Sequence, residues 1–484
     1  MTQRIPSDEA PRRAIFFLAD GARPDAMEAL ARAGRLPAIR ELMFEKGSSD
    51  PAVSVFPSTT GPAYLPFVTG CYPGTCNLPG IRWFDRKNYS TQRLSMQRTR
   101  SYVGAGAALL IGDLDKNVKT MFEMIPRSLN IYNHVNRGIP RSRQRGNGSG
   151  IAMIIAHLTE NYDPVTRIVM NGLKRSLVED FEFLFVAFPG IDGAGHNSDP
   201  FSEWTLKEYE TIDRAVEMTY EILNRYGLWE TTDFVISADH GMTATHSHFD
   251  LDRFVSKLGH RNYYYPVGYR YWSNATAASM VSGNSMANLY FAHPKGGWDR
   301  KPIFEELANG MFGGVVDKLL DAPAVDLVAG PDAEGVRVRS RRGEAWVRAV
   351  EDGRILYHVT HGSDPFGYTT HPRECTADES LAVTYQSEYP DAPVQLLQFF
   401  RSQRAGDLVV SATNGHDLRV RFEYPEHKAS HGGFAREHMM VPFLSNRKLN
   451  GGPRRTVDYA PTALSFLGRE VPAGIDGRMI ESRE

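Results

Sequence analysis

Asp233-Phe234-Val235-Ile236-Ser237-Ala238-Asp239-His240-Gly241 is an apolar run that ends abruptly in a carboxylate and an imidazole. Phe, Val and Ile side by side, without polar alternation, predict a strand buried on both faces, as in a parallel sheet covered by helices on either side. Two other stretches follow the same plan. Ala14 to Ala19 runs into Asp20-Gly21, and Phe183 to Phe188 leads to Asp192 and His196. In such sheets ligands bind outside the carboxyl ends of the strands, so three acidic groups are expected at one edge. Like charges a few ångströms apart in a low dielectric cannot all stay ionised alone. The pattern asks for metal.

The rest of the chain fits an α/β protein with an insertion. After Asp20, Pro24-Asp25 marks a helix start and Gly34 a break. Val53 to Phe56 reads as a short strand running into Pro57-Ser58-Thr59-Thr60-Gly61-Pro62 and then a helix, whose first-turn N–H groups suit an anion. Ile212, Ala215-Val216, Thr219, Ile222-Leu223 and Tyr226 have helical spacing. The basic, Gly-rich stretch from Arg137 to Gly150 reads as a mobile surface loop. Beyond Asp250, Val336 to Ser340, Glu344 to Val350 and Arg354 to Val359 are short strands joined by tight turns, which predicts an antiparallel meander. The α/β pattern is expected to resume with Asp407 to Ala412 and to close with Val441 to Leu444 and a helix over Asp458 to Leu467. The expected organisation is a catalytic core over 14–250 and 425–484 and a smaller α+β cap over 251–424, facing the substrate.

Composition narrows the function classes. With 484 residues, 42% hydrophobic and 23% charged, the chain is an ordinary globular protein. A net charge of -2 provides no general attraction to nucleic acid or to an anionic membrane. The 3 cysteines, Cys71, Cys76 and Cys375, make neither a disulfide framework nor a zinc ribbon. No signal-peptide h-region and no spanning-length apolar run is visible. The expectation is a soluble, cytoplasmic protein.

Asp20, Asp192 and Asp239 with His196, His240 and His431 form a mixed oxygen and nitrogen set, suited to two divalent ions, Zn or Mn, and short of oxygens for calcium. Thr60, at the mouth of the expected site, offers a hydroxyl able to attack phosphorus. A pair of ions stabilises the attacking and leaving oxygens of an in-line displacement together. Each residue alone has a plainer reading: Asp20-Gly21 as a turn, Thr60 as a helix cap, Asp239-His240-Gly241 as a capped helix start.

Together these residues resemble the alkaline phosphatase superfamily, and within it the type I phosphodiesterase/nucleotide pyrophosphatase branch. The matching pieces are Ala19-Asp20-Gly21, Phe56 to Pro62 followed by Val68-Thr69-Gly70 and Tyr72-Pro73, Asp192-Gly193-Ala194-Gly195-His196, Ser237 to Met242, and Ser430-His431-Gly432. The resemblance implies an alkaline phosphatase-like fold. It also implies that Asp192, His196 and His431 hold one metal, and Asp20, Asp239, His240 and the Thr60 hydroxyl the other. Sulfatases of the same superfamily carry Cys or Ser as nucleophile precursor and an Arg where Tyr64 stands, so sulfatase is disfavoured. The Asn that commonly follows Gly-Ile is replaced around Gly80 to Asp85. Arg82 is then the expected oxyanion donor, a role its fork suits, with Tyr64 and Trp83 beside it as substrate contacts.

The implied activity is phosphodiester hydrolysis through a phospho-threonine intermediate, on a small phosphodiester or a lipid head group and not on nucleic acid. A phospholipase C-like hydrolase of phosphoinositide or other lipid head groups, a phosphomonoesterase or phosphonate hydrolase, and a metal-stabilised binding protein are the alternatives. The aromatic run from His260 to Trp272 reads as core packing or as a wall that stacks on substrate.

Overall fold

A computed structural model describes residues 12–91, 98–146, 155–156, 159, 161–265, 273–420 and 425–483. The three apolar runs form neighbouring strands. Arg13–Ala19 lies parallel to Phe183–Phe188 on one side and to Thr232–Ser237 on the other, with Phe16 opposite Phe185 and Val235. Every residue in all three strands is buried. The sheet continues outward through Ser128–Ile131 and Gln144–Arg145, and ends on its other edge with Phe443–Ser445, its one antiparallel strand.

Helices cover the sheet because their apolar stripes match it. Pro24–Arg32 starts on a proline whose missing N–H costs nothing at that position. Glu203–Arg225 is capped by the Ser202 side chain and buries Tyr209, Ile212, Val216 and Leu223. On one face Phe16 stacks on Phe67 at 4.5 Å and meets Tyr459 at 4.4 Å. That contact ties the first strand to the helix Leu65–Thr69 and to the helix Tyr459–Phe466. Each such ring is worth about 1.5–3 kcal/mol of burial. The helices expected near residues 24 and 458 and over 212–226 are therefore present.

A second sheet of nine strands runs in the order 262–264, 277–282, 286–291, 408–412, 325–332, 335–340, 343–349, 354–362 and 374–376. Only its first pair is parallel. The expected meander is its last part, Gly335–Ser340, Gly343–Ala349 and Arg354–Gly362. Leu408–Ala412, expected to return to the α/β core, instead lies between Met286–Phe291 and Val325–Asp332, antiparallel to both. Its Leu408 and Val410 face helices Phe304–Ala308 and Val315–Asp321, whereas Val409 faces the helix Ala392–Phe399. A strand buried on both faces has the same sequence signature in either sheet, so periodicity alone could not place it.

Two smaller expectations also change. The stretch from Arg137, expected to be a mobile loop, contains a 3-10 turn at Arg141–Arg143 and the edge strand Gln144–Arg145, while 147–150 lies outside the described residues. The strand expected at Val53 to Phe56 is shorter and earlier, Ala52–Val53, paired with Met440–Val441. Among the described residues, no helix is long and apolar enough to cross a membrane.

The segments meet through a buried ion pair. Asp391, fully buried, accepts two N–H bonds from Arg455 at 2.8 Å each and a third from Gln395. Removing one charge of such a pair leaves the other uncompensated in a low dielectric. Asp391→Asn, which keeps the shape, is expected to cost about 3 kcal/mol in urea unfolding. A shift below about 1 kcal/mol would mean that the pair is not holding the 377–399 segment to the C-terminal segment.

Candidate active site

Asp20 lies one residue past the end of the first strand, and Asp239 two residues past the end of Thr232–Ser237. Asp192 and His196 sit on the helix Gly190–Asn197. There the spacing of four residues puts both on one face. The glycines of this helix answer a packing need. A Cβ at Gly193 would fall inside the Tyr162 ring, and one at Gly195 against the Met242 sulfur. Gly21, at φ +77°, lets the first strand turn away directly beside the Asp192 backbone.

His240 and His431 stack face to face at 3.6 Å, and His196 tilts against His431 at 5.2 Å. Each imidazole is fastened by one nitrogen to a backbone carbonyl. His196 Nδ1 bonds Ala429 at 2.8 Å, His240 Nδ1 bonds Gly241 at 3.0 Å, and His431 Nδ1 bonds Ser58 at 3.0 Å. A ring whose Nδ1–H donates to a carbonyl presents the Nε2 lone pair outward, the arrangement of a metal ligand.

The three Nε2 atoms face carboxylate oxygens. His196 Nε2 is 3.3 Å and His431 Nε2 3.7 Å from Asp192 Oδ1. His240 Nε2 is 3.5 Å from Asp20 Oδ1 and 3.2 Å from Asp239 Oδ2. Asp20 Oδ1, Asp192 Oδ1 and Asp239 Oδ2 are buried and have no hydrogen-bond partner. The other oxygen of two of them is held: Asp239 Oδ1 accepts the Gly21 N–H at 3.3 Å, and Asp20 Oδ2 accepts the Tyr64 hydroxyl at 2.6 Å. Two groupings have the reach of a metal ion, Asp192 with His196 and His431, and Asp20 with Asp192 and His240. Asp192 lies between them.

The electrostatics point the same way. Burial, then the neighbouring carboxylates Asp239 and Asp192, push Asp20 well above the carboxylate range. Burial and Asp192 push Asp239 up to about 7. Burial lowers His240 and His431, keeping them neutral. A buried carboxylate that resists ionisation, facing a neutral imidazole lone pair, is a site short of positive charge. Divalent cations fit this donor set.

Thr60 is half-buried in the turn before the 3-10 helix Pro62–Tyr64, with its Oγ1 3.2 Å from His240 Nε2. The structure thus brings together Thr60 and all six Asp and His residues expected from the sequence. Three other expected residues are employed differently. Tyr64 is buried and committed to Asp20, not open to substrate. Trp83 is 3% exposed, donates its indole N–H to Tyr102 and carries the Arg404 guanidinium over its ring. Arg82 donates from Nη1 to the Val281 carbonyl and lies over the Tyr265 ring, bracing strand Arg82–Phe84 against Ala277–Ser282. These three positions look exposed in sequence, and only tertiary packing shows that they are inside.

Among the described residues, His246 and His248 belong to neither grouping. His248 pairs with Asp417 and Glu426. In the 260–272 run, Tyr263 packs on Phe84 and Tyr89, while Tyr269, Tyr271 and Trp272 lie outside the described residues. Sequence reasoning missed His427, which stacks on His196 at 4.3 Å and bonds the Asn284 amide through Nδ1 at 3.0 Å. His427 stands four residues before His431, the one local signal that could have flagged it.

The family model for type I phosphodiesterase/nucleotide pyrophosphatase matches residues 14–434. The chain belongs to that family of phosphoester hydrolases. Among curated proteins it is 24% identical over 242 residues to ectonucleotide pyrophosphatase/phosphodiesterase family member 3 of Rattus norvegicus, covering 48% of this chain and 25% of the relative. It is 30% identical over 97 residues to GPI ethanolamine phosphate transferase 2 of Aspergillus oryzae, covering 20% of this chain and 11% of the relative. The match thus spans a quarter or less of these relatives' length. Two solved structures share the fold. Phosphonoacetate hydrolase from Sinorhizobium meliloti, in complex with phosphonoformate, has a TM-score of 0.57 at 17% identity over 95% of this chain and 96% of that one. A mutant of alkaline phosphatase PafA has a TM-score of 0.59 at 13% identity over 99% of each chain. The α/β, alkaline phosphatase-like fold expected from the sequence is the fold observed.

One half-buried acid beside the site is a source of pH dependence. Glu208 packs against Gly190 at the start of the ligand-bearing helix, and burial, then Asp163, pushes its pKa up to about 7 against the opposing pull of Arg214. A raised carboxylate contributes stability that is present below its unfolded pKa and lost as pH rises through the folded one. Above pH 7 the ionised form is expected to cost about 3 kcal/mol, at 1.36 kcal/mol per pKa unit. Glu208→Gln should therefore stabilise the protein at pH 8 and leave it near wild type at pH 4 in thermal melts. Equal effects at both values would remove ionisation as the cause.

Proposed function

We propose that the protein is a di-metal phosphodiesterase in which Thr60 is the nucleophile. The reading rests on one observation above the others: three outward Nε2 atoms and three partnerless carboxylate oxygens converge beside the Thr60 hydroxyl. Asp192, His196 and His431 would hold one divalent ion, and Asp20, Asp239, His240 and Thr60 the other, with zinc or manganese suited to the donors. Bound there, the ions supply positive charge to the attacking and leaving oxygens.

The residues define the rest of the reaction. Thr60 Oγ1 loses its proton to solvent and attacks phosphorus, and the bond from phosphorus to the alcohol oxygen breaks as the Oγ–P bond forms. The departing alcohol takes up a proton. Water then attacks the phospho-threonine from the vacated side, the Oγ–P bond breaks, and a phosphate monoester leaves. The backbone carbonyls of Ala429, Gly241 and Ser58 keep the imidazoles oriented throughout.

The 251–424 block is read as the substrate-facing cap. Support comes from its Gly283-Asn284 turn, which packs on His431 and reaches His427. The substrate is a small phosphodiester or a lipid head group. Rates on bis-p-nitrophenyl phosphate, p-nitrophenyl phosphate and a phosphonate ester should rank the diester first. A phosphonate ester in first place would favour a phosphonate hydrolase instead.

Two outcomes follow. Elemental analysis of loaded, active protein should find two divalent ions per chain, and chelation should abolish turnover; at most one ion would end the two-metal reading. Thr60→Ala should fold normally while losing turnover by orders of magnitude, with Thr60→Ser retaining part. Near wild-type rates for the alanine variant would assign the attack to another oxygen.

A further inference from the structure

The ligands are fastened in an uneven way. Backbone carbonyls hold all three imidazoles, and a backbone amide, that of Gly21, holds Asp239. Asp20 differs. Its Oδ2 accepts from a side chain, the Tyr64 hydroxyl, in a short hydrogen bond of 2.6 Å. Its Oδ1 is left partnerless and aimed at His240 Nε2, 3.5 Å away.

Tyr64 also belongs to the nucleophile's own turn. It closes the 3-10 helix that follows Thr60, and its amide bonds the Gly61 carbonyl at 3.1 Å. Thr60 Oγ1 meets His240 Nε2, and His240 meets Asp20. Hydroxyl, imidazole, carboxylate and phenol thus form a chain whose two ends, Thr60 and Tyr64, are joined by the backbone of the three residues between them. The ring is 4% exposed, so it has one stable pose.

We propose that Tyr64 is a positioning residue of the metal centre. By occupying Asp20 Oδ2 it limits Asp20 to a one-oxygen ligand through Oδ1, and it locks that ligand to the turn that carries Thr60. A ligating carboxylate that loses such a partner can rotate or bind through both oxygens, and removal of supporting partners commonly lowers metal affinity ten- to hundredfold. The inference rests on the two-metal reading above.

The test uses metal-free full-length protein titrated with zinc against a chromophoric chelator. Tyr64→Phe removes only the hydroxyl. It should weaken one of the two zinc affinities about tenfold or more while leaving the other within a few-fold, with unchanged circular dichroism. Raising zinc should restore turnover. In an Asp20→Asn background the same substitution should add nothing, because the carboxylate whose orientation Tyr64 fixes is gone. Unchanged affinities overturn the proposal. So does a loss shared equally by both sites, or one that persists in the Asp20→Asn background, since either would make Tyr64 a general support of the fold. Should wild type itself bind fewer than two zinc ions, the two-metal reading falls, an outcome visible before any variant is made.

Discussion

Mutual repulsion among Asp20, Asp192 and Asp239 is the constraint around which the molecule is arranged. Asp20 and Asp239 are buried at the carboxyl edge of one sheet with Asp192 half-buried beside them, and burial first, then the neighbouring carboxylates, pushes the pKa of Asp20 and Asp239 upward. An isolated buried carboxylate is costly, and three are tolerable only where positive charge compensates them. Neutral histidines cannot do so. They offer lone pairs, which add a demand for a cation and do nothing to meet the demand already there.

Such a site needs rigidity, and the chain provides it mostly through backbone. The imidazoles lean on carbonyls, and Asp239 on an amide, so the fasteners move only if the strands and turns move. Close approach does the remainder. Glycines at 21, 193 and 195 let the ligand-bearing helix, the first strand and Met242 come nearer than side chains would allow. The two sheets are drawn into the same arrangement, because the turn between the 277–282 and 286–291 strands packs directly on His431. The likeness to the solved phosphonoacetate hydrolase and alkaline phosphatase structures, at identities of 13–17%, is one of fold.

Much of the site was legible because its residues sit at punctuation points. Strand-end carboxylates and a histidine four residues after an aspartate stand out against apolar runs, so Asp20, Asp192, His196, Asp239 and His240 could be named before any coordinate. Tyr64 was named for standing where sulfatases carry Arg and Trp83 for adjoining Arg82, and both were assigned to substrate; the fold turns both inward. His427 went unnoticed because no apolar run leads into it in the sequence.

The amino-acid sequence by itself determined the class of fold and singled out the Asp and His residues and the Thr60 hydroxyl that the fold brings together, since these depend on local runs and on residue types whose chemistry is intrinsic. Which sheet receives Leu408–Ala412, which oxygen of each carboxylate is fastened and which left open, and which aromatic side chains face inward were decided only by tertiary structure. Those outcomes depend on contacts between segments separated by up to hundreds of residues, such as Ser58 with His431, and local sequence carries no record of a partner it meets only through folding.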